Sequence, residues 1–422
     1  MNLKFFKKVS KFAVPFVLAL AALSLSYYRP LDNYELETLD LRFRLRPKPP
    51  VSDKIVIIEI GGDTIEKLGR FPFDRSYHAL LIKALSEAGA KMIFFDFLFS
   101  EPQEHDKELE SAISEAGSVY LPVAFDIEKA GGSKIIAVRS YIAKYGTGHI
   151  NTVPDPDGKF RRVPIFINYE GTRCPYISFA MGCDYLGVGP KDVKFAAGKY
   201  VDYGRDGRIP LDEDSNAIIN FSGKWGGSYR HYSYIDVLQS YFTSVSGRKP
   251  DLNFSDFKDK ICLVGLTATG TSDTHPNPFE PMYPGIGLHA ELINSMINRN
   301  FISRASRAVN LAILIILFIF TSLAIFRMRP LRGLFVLLAE IFFFAGAAIL
   351  LFDFFGIWID LIYPVLLIVL LYLSFTLYKY AAEWKKRLVF ENELGIAKSI
   401  QESFLPQRAP EIEGADISAA MA

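Results

Sequence analysis

Long apolar runs and stretches of alternating character divide the chain into membrane-spanning and globular parts. Four runs of about 17 to 19 residues carry almost no charge, and a membrane helix needs roughly 20 such residues. The pattern predicts transmembrane helices at residues 12–28, 308–326, 334–352 and 361–378. Glu340 is the only charge inside these runs, and we interpret it as an interhelical contact or an interfacial residue.

Basic residues beside the runs set the predicted orientation. Lysines and arginines are concentrated in residues 1–11, in the 327–332 loop and directly after residue 378, whereas the 353–360 loop has two acids and no base. The positive-inside rule therefore places the N-terminus, residues 1–11, in the cytoplasm and residues 29–307 outside it. The first run fits a cleavable signal or an anchor, and the aromatic pair Tyr27 and Tyr28 favours the anchor.

Residues 29–307 show the pattern of an α/β domain. Short apolar runs of strand character are bounded by turn residues at 55–60, 92–97, 119–125, 163–168, 217–221 and 261–264. Helical periodicity is found at 75–89, 177–186, 234–242 and 286–298. Strands without polar alternation, separated by helices, are typical of a mixed, mainly parallel sheet covered by helices on both sides.

Composition limits the possible partners, disulfides and metal sites. The net charge of +1 argues against a nucleic-acid partner, and half of the residues are hydrophobic, which agrees with a lipid bilayer as partner. The three cysteines lie in the 29–307 segment, where a disulfide between Cys174 and Cys183 is permitted and Cys262 is interpreted as a buried apolar residue. The cysteines and the six histidines show no metal-ligand spacing, so neither a metal nor a catalytic residue is predicted.

Four segments together resemble the CHASE sensor domain of the second type. They are ELETLDLRFRLRP, the block from IVIIEI to FFDFLFSEP, GHINTVPDPDGKFRRVPI, and the block from KICLVG to PGIGLHAELINSMI. The resemblance implies an extracytoplasmic bacterial sensor with three following transmembrane helices and a cytoplasmic output. The protein would then be a multi-pass protein of the inner membrane. One departure is Gly61-Gly62 before Asp63, where the family usually has an acid directly after the strand.

The carboxyl ends of the predicted strands suggest a ligand site. Ligands of open α/β sheets bind in the crevice beyond these ends. Candidate ligand-binding residues by this argument are Asp63, Asp96, Glu101, Thr267, Asp273 and His275, and Arg75 is a further candidate because a guanidinium can clamp an anionic ligand. The alternative is that such acids cap helices or form turns, and that Arg161 and Arg162 form structural ion pairs rather than an anion clamp. The partner would be an unidentified extracytoplasmic ligand or an envelope protein.

A polar helix continues from the fourth run through residues 379–405. Val389, Glu393, Ile396 and Ile400 stand near heptad positions over barely two turns of repeat, so the helix is either a dimerising rod or a solvent-exposed juxtamembrane helix. We expect the first, and with it a homodimer. Residues expected to transmit a signal along this helix are Trp384, Leu388, Ile396, Ile400 and Phe404.

The last segment, ELGIAKSIQESFLPQRAPEIEGADISAAM, is similar to the start of SpoIIE-like, PPM-type serine/threonine phosphatase domains. The matching positions are Glu393, Ala397, Ile400, Gln401, Ser403, Leu405, Pro406, Pro410 and Gly414. Residues 406–422 would then begin a truncated phosphatase domain that acts on a phosphoprotein. This chain holds no cofactor by that interpretation, because the two divalent cations, Mn or Mg, would bind in the part beyond Ala422.

These observations together predict a membrane-bound receptor that couples extracytoplasmic sensing to a cytoplasmic phosphatase. Two alternatives stay open. The same sensor family also precedes nucleotide cyclases and histidine kinases, although the IQESFLP segment speaks against them. A non-enzymatic scaffold of an envelope complex would bind partners without any ligand-dependent change in the 379–405 helix.

Overall fold

The computed structural model describes residues 3–128, 134–139, 146–204, 207–268, 270, 273–404 and 414. The chain forms two compact units. The first, which we call the α/β unit, comprises Pro30–Ser306 and Ala345–Leu361. The second, which we call the helical unit, comprises Met1–Arg29, Arg307–Phe344 and Ile362–Ala422. Of the segment predicted to begin a phosphatase domain, residues 406–422, all but Gly414 lie outside the described residues.

The helices and strands follow one another in the predicted α/β order. The helices are α1 Leu3–Tyr28, α2 Asp32–Leu45, α3 Gly62–Leu68, α4 Arg75–Glu87, α5 Asp106–Ala116, α6 Ile177–Leu186, α7 Tyr234–Val245, α8 Gly285–Asn298, α9 Arg307–Phe326, α10 Pro330–Phe355 and α11 Ile362–Phe404. The strands are β1 Ile55–Ile60, β2 Met92–Phe95, β3 Val119–Glu128, β4 Lys134–Arg139, β5 Thr147–His149, β6 Arg162–Pro164, β7 Phe166–Tyr169, β8 Thr172–Pro175, β9 Val193–Ala196, β10 Tyr200–Tyr203, β11 Gly207–Pro210, β12 Asn216–Ile218, β13 Arg230–Ser233, β14 Ile261–Leu266, β15 Thr274–His275, β16 Tyr283–Pro284, β17 Ser303–Arg304 and β18 Ile357–Trp358.

The central sheet is mixed and mainly parallel, which confirms the predicted class. Its strand order is β13-β1-β14-β2-β3-β4, and β5 pairs with β3. The pairs from β13 to β3 are parallel, and β4 is antiparallel to β3. The core strands β1, β14 and β2 are buried along almost their whole length, as expected for strands with helices on both faces.

Successive residues of the central strands enter two separate apolar cores. Val56, Ile58 and Ile60 pack with α4, α5 and α7 on one face of the sheet. Ile55 and Ile57 pack with α6 and α8 on the other face. Because side chains alternate along a strand, an uninterrupted apolar run such as IVIIEI serves both faces at once.

Two of the predicted strands are shorter than expected and lie outside the central sheet. The 163–168 run forms two strands, because β6 pairs with β12 and β7 pairs with β8. Pro164 ends β6, since proline has no backbone N–H for further pairing. The 217–221 run corresponds to β12, which ends at Ile218.

A buried ion-pair network attaches α2 to the body of the α/β unit. The Arg161 side chain is fully buried and donates to both carboxylate oxygens of Asp40, at 2.7 and 2.9 Å. It also donates to Asp155 at 2.9 Å and to Asp157 at 2.7 Å. Gly158, at φ 82°, closes the turn between these residues. Arg161 therefore holds structure together and does not act as a free anion clamp.

His78 of α4 is buried in a cluster of aromatic side chains. Its Nδ1 atom lies 2.9 Å from the Tyr234 hydroxyl, and the rings of Phe95, Phe97 and Phe99 surround it. Burial, with a smaller effect of nearby Arg75, lowers the pKa of His78 from 6.5 to about 3. The imidazole is therefore neutral in the folded protein at physiological pH.

We expect acid to destabilise the fold through His78. Above pH 6.5 the histidine is neutral in both states and has no effect. Below pH 6.5 the unfolded chain binds a proton that the folded chain excludes, so stability falls by about 1.4 kcal/mol per pH unit until the folded pKa is reached. Urea unfolding between pH 7 and 5 measures this slope. His78→Gln keeps an acceptor for Tyr234 but does not titrate, so an unchanged slope in that variant would contradict the assignment.

The helical unit contains the predicted membrane helices. Within the described residues, α9, α10 and α11 are long and apolar enough to cross a membrane. Counting Ala13–Tyr28 and Asp32–Leu45 as one broken span gives up to four, so the predicted span at 12–28 is not independently established. The Thr321 hydroxyl of α9 donates to Glu340 of α10 at 2.6 Å, so the lone intramembrane charge makes an interhelical contact.

The fourth predicted span is the beginning of a much longer helix. α11 runs without interruption for 43 residues from Ile362 and ends at Phe404, so it includes the predicted 379–405 helix up to its penultimate residue. Lys379 donates to the Ile325 carbonyl at 2.7 Å, which satisfies a backbone acceptor at the end of α9. Beyond this point α11 is exposed on all sides.

Candidate functional site

The connections of the central sheet diverge at its carboxyl edge on both sides of β14. β1 and β2 continue into helices on one face, whereas β14, which lies between them, continues towards α8 on the other face. Loops from neighbouring strands therefore separate and leave crevices beyond the end of β14. Such switch points are the usual ligand sites of open α/β sheets.

The crevice between β1 and β14 holds a polar group that we call the Glu59 cluster, formed by Glu59, Asp63, His231, Ser233 and Thr267. Thr267 Oγ1 donates to Glu59 Oε2 at 3.0 Å, and His231 Nδ1 contacts Glu59 Oε1. The Ser233 hydroxyl donates to Asp63 Oδ2. Glu59 retains 26% side-chain exposure and His231 retains 18%, so the cluster is reachable from solvent.

The Glu59 cluster offers two carboxylates, an imidazole and two hydroxyls within one small area. Such a set can bind a hydroxylated or cationic ligand. Sequence reasoning identified Asp63 and Thr267 but missed Glu59 and His231. The available signal was Glu59 itself, a single charge inside the otherwise apolar strand IVIIEI.

Gly61 explains how Asp63 reaches this cluster. A Cβ atom at Gly61 would lie 2.8 Å from Asp63 Oδ1, closer than side chains approach one another. The glycine therefore gives the Asp63 carboxylate room beside the end of β1. Asp63 supplies an acid at this edge although the chain has Gly61-Gly62 directly after the strand.

The crevice between β14 and β2 holds a second group, which we call the His289 cluster, formed by Asp96, Ser178, Asp273, His275 and His289. His289 Nδ1 lies 2.6 Å from Ser178 Oγ, and His289 Nε2 lies 3.4 Å from Asp96 Oδ1. At the edge of the cluster, His275 Nε2 lies 3.2 Å from Asp273 Oδ2. The hydrogen bond from His275 lowers the pKa of Asp273.

Ser178, His289 and Asp96 contact one another in that order, and they have the residue types of a nucleophile, a base and a carboxylate. Ser178 is fully buried and His289 is only 3% exposed. The Tyr176 ring stacks on His289 with centroids 5.0 Å apart. A buried hydroxyl cannot reach a substrate carbonyl, so these residues order α6, α8 and β2 rather than perform acyl transfer. Sequence reasoning missed both polar partners of His289.

One loop connects the two clusters. It follows β14 and contributes Thr267 to the Glu59 cluster and Asp273 to the His289 cluster. Its ends are fixed by backbone hydrogen bonds, from Thr267 to Ile60 at 3.0 Å and from Gly285 to Asp273 at 2.9 Å. Thr269, Thr271 and Ser272 lie outside the described residues. A ligand in either crevice would contact this loop.

The remaining two candidates, Arg75 and Glu101, form a separate structural contact. Arg75 is 3% exposed, donates to Asp106 at 3.1 Å and to the Glu101 carbonyl at 3.0 Å, and stacks on Phe99 at 4.6 Å. These contacts join the starts of α4 and α5. In the part of the chain that the structure describes, no hydrogen bond or ion pair connects Arg75 or the exposed Glu101 side chain to either cluster.

Comparison with known families identifies the fold that carries these crevices. The CHASE2 domain family matches residues 16–325, which is more than half of the 422 residues. The chain belongs to the CHASE2 family. No curated protein and no solved structure matches it significantly. CHASE2 domains are extracellular sensor domains, and together with α9, α10 and α11 this membership describes a membrane protein with a sensor domain.

The described residues contain neither a metal-binding group nor a disulfide. No three His, Cys, Asp or Glu side chains among them are grouped so as to hold a metal ion. Cys174, Cys183 and Cys262 form no disulfide, so the one that the sequence permitted between the first two is not present. Burial raises the pKa of Cys183 and of Cys262 to about 12, which makes both thiols unreactive.

Sequence reasoning also missed a polar network elsewhere in the α/β unit. We call it the junction network; its residues are Asp32, Glu35, Arg42, Arg304, Trp358, Asp360 and Leu361. Arg304 donates to Asp32 at 2.5 and 3.0 Å and to Asp360 at 3.0 Å. Burial alone would lower the pKa of Arg304, but hydrogen bonds and charge attraction from Asp32 and Asp360 raise it above its usual value.

Glu35 forms the second half of the junction network. Its side chain is fully buried, and both carboxylate oxygens accept from the Leu361 backbone N–H at 2.9 Å. Arg42 lies 3.8 Å from Glu35 and donates to the Ile359 carbonyl at 3.0 Å. The Arg304 guanidinium stacks on the Trp358 ring at 4.3 Å.

The junction network joins three separate chain connections to the membrane helices. Asp32 lies four residues after the end of α1, Arg304 lies three residues before α9, and Leu361 directly precedes α11. The residues are distant in sequence and adjacent in the α/β unit.

Proposed function

We propose that this protein is a membrane-bound signal-transduction receptor whose CHASE2 domain detects an extracytoplasmic ligand or stress and changes the position of α11. The observation that carries the proposal is the continuity of α11, which starts at the junction network and runs 43 residues to Phe404. A rigid helix transfers a displacement at one end to the other. The ligand would bind at the Glu59 cluster, the His289 cluster and the loop between them.

A ligand can act only if it binds one arrangement of the receptor more tightly than another. The proposed ligand contacts are Asp63, Thr267, Asp96, Asp273 and His275, with Glu59 and His231 added by the structure. Thr267 of the Glu59 cluster and Asp273 of the His289 cluster both follow β14, so the two clusters share one connection of the chain. We further propose that α1 is a fourth span, since it packs with α9 and α11 in the helical unit.

We propose that the receptor is a homodimer of the cytoplasmic membrane, held together in part by α11. Its exposed section carries large apolar side chains, with Ile396 at 62% and Ile400 at 52% exposure. The other proposed transmission residues on this helix are Trp384, Leu388 and Phe404, which are also exposed. Val389, Glu393, Ile396 and Ile400 follow a heptad-like spacing, so two copies of α11 can pack along this face.

The proposed output is a SpoIIE-like protein serine/threonine phosphatase. Its support is the sequence similarity of the segment from Glu393 to Gly414. The metal ions, Mn or Mg, and the phosphoprotein substrate belong to the catalytic part of that domain, so this segment would be its regulated start. A cyclase or kinase output predicts a different segment after Phe404. A scaffold role predicts no regulated output.

Cysteine cross-linking in membranes tests the receptor dimer. In a Cys174→Ser background we expect Ile396→Cys and Ile400→Cys to form disulfide-linked dimers readily, because both lie on the heptad face. Lys398→Cys, on the opposite face of α11, is the matched control and should cross-link poorly. Equal cross-linking at all three positions, or none at any, would contradict a dimeric helix pair and favour the scaffold alternative.

A further inference from the structure

A cavity of about 730 Å³ in the α/β unit has a strongly basic lining. It lies between the end of α2 and the loop after β12. Its charged lining residues are Arg44, Arg46, Lys48 and Lys224, and none of the described lining residues is acidic. Four cations without a carboxylate in one concave site are unfavourable unless an anion is present.

Arg46, which lines this cavity, is only partly satisfied by protein groups. One guanidinium nitrogen donates to the Phe221 carbonyl at 2.6 Å, while the buried Nε atom has no hydrogen-bond partner among the described protein groups. The guanidinium stacks on Phe43 at 4.8 Å and on Phe352 at 5.3 Å. Burial lowers the pKa of Arg46 to about 10, and the attraction of Glu291 and Asp353 only partly opposes this.

The nearest buried carboxyl group, Glu291, does not neutralise the cavity. It accepts from the backbone and hydroxyl of Ser222 at 3.0 and 2.6 Å and from Tyr229 at 2.9 Å. Burial raises the pKa of Glu291, which favours its neutral form. The hydrogen-bonding capacity of Glu291 is thus directed at its own neighbours.

Glycines open the other wall of the cavity. Gly223 has φ 154°, and a Cβ atom there would lie 4.0 Å from the Lys48 side chain. A Cβ atom at Gly227 would also lie 4.0 Å from Lys48 Nζ. The missing side chains let a ligand approach the loop backbone. Trp225 of the same loop packs on His231 at 4.8 Å, so the cavity adjoins the Glu59 cluster.

We propose that this cavity binds a phosphate group, either as the headgroup of an anionic phospholipid or as a small soluble phosphate. Guanidinium and ammonium groups around a glycine loop are the usual donors for phosphate oxygens. Arg46 stacks on Phe352, which stands in the last turn of the apolar helix α10. A headgroup at the end of a membrane helix would meet this cavity. The site is independent of the output that the receptor drives.

Thermal unfolding of the full-length protein in detergent tests the site. Short-chain phosphatidylglycerol should raise the unfolding midpoint more than phosphatidylcholine does, and saturable titration gives an apparent Kd. Lys48→Gln with Lys224→Gln should weaken that Kd about 25-fold, at roughly fivefold per basic residue near a lipid surface. A parallel titration with sodium phosphate, against sodium chloride at equal ionic strength, tests the soluble source.

The matched control is Lys199→Gln with Lys249→Gln, which removes two exposed lysines outside the cavity. It should bind like the wild type. A response to phosphatidylglycerol that only the cavity variant loses supports the lipid source, and the same loss in the sodium phosphate titration supports the soluble source. Equal responses in both variants, or no response of the wild type to either probe, would overturn the proposal.

Discussion

Replacing Arg161 by methionine is expected to lower the free energy of unfolding of the α/β unit by about 3–5 kcal/mol, the usual cost of removing one partner of a buried ion network. The guanidinium is fully buried and donates to Asp40, Asp155 and Asp157. Methionine fills part of the space but leaves Asp40 and Asp155 buried next to each other's charge. α2 would lose its main polar attachment to the turn around Gly158.

Chemical unfolding of the full-length protein in detergent, followed by tryptophan fluorescence, measures this loss. The matched control is Arg208→Met, which breaks an exposed pair with Asp202 and should change stability little. If Arg161→Met were as stable as Arg208→Met, the network would not be the attachment of α2. The sequence left two interpretations of Arg161, a structural ion pair or an anion clamp. The structure shows the ion pairs.

Much of the fold follows from local patterns. The strand IVIIEI and the helix from Arg75 are each encoded within a few consecutive residues, so their identity and approximate bounds could be predicted. The apolar runs in α9, α10 and α11 are equally local signals. The split of the 163–168 run was missed because strand pairing with β12 and β8 depends on residues far along the chain.

The sites were predicted only in part because they combine distant segments. Asp63 and Thr267 stand at strand ends and were found by that rule. Glu59 meets His231 across 172 positions of sequence, and a single sequence contains no sign of that meeting. The same applies to Asp32 and Arg304 in the junction network, which are 272 positions apart. Arg75 was a candidate because a guanidinium can clamp an anion, but in the structure it donates to Asp106.

Replacing Arg304 by methionine is expected to disconnect the CHASE2 domain from α11. Arg304 contacts both Asp32 and Asp360 in the junction network. Without it, Asp360 is left buried at 1% exposure and without its guanidinium partner, at a cost of about 3 kcal/mol. Lysine at this position should recover part of the lost stability, because it supplies the positive charge but not the bidentate geometry of a guanidinium.

The most direct test is the rate of disulfide formation at Ile396→Cys in membranes, compared between wild type, Arg304→Met and Arg208→Met. The account predicts that Arg304→Met changes this rate about fivefold or more, which corresponds to roughly 1 kcal/mol, although Ile396 lies in the exposed end of α11. Arg208→Met should leave the rate unchanged. Equal rates in all three proteins, with Arg304→Met still folded by tryptophan fluorescence, would contradict transmission through the junction network.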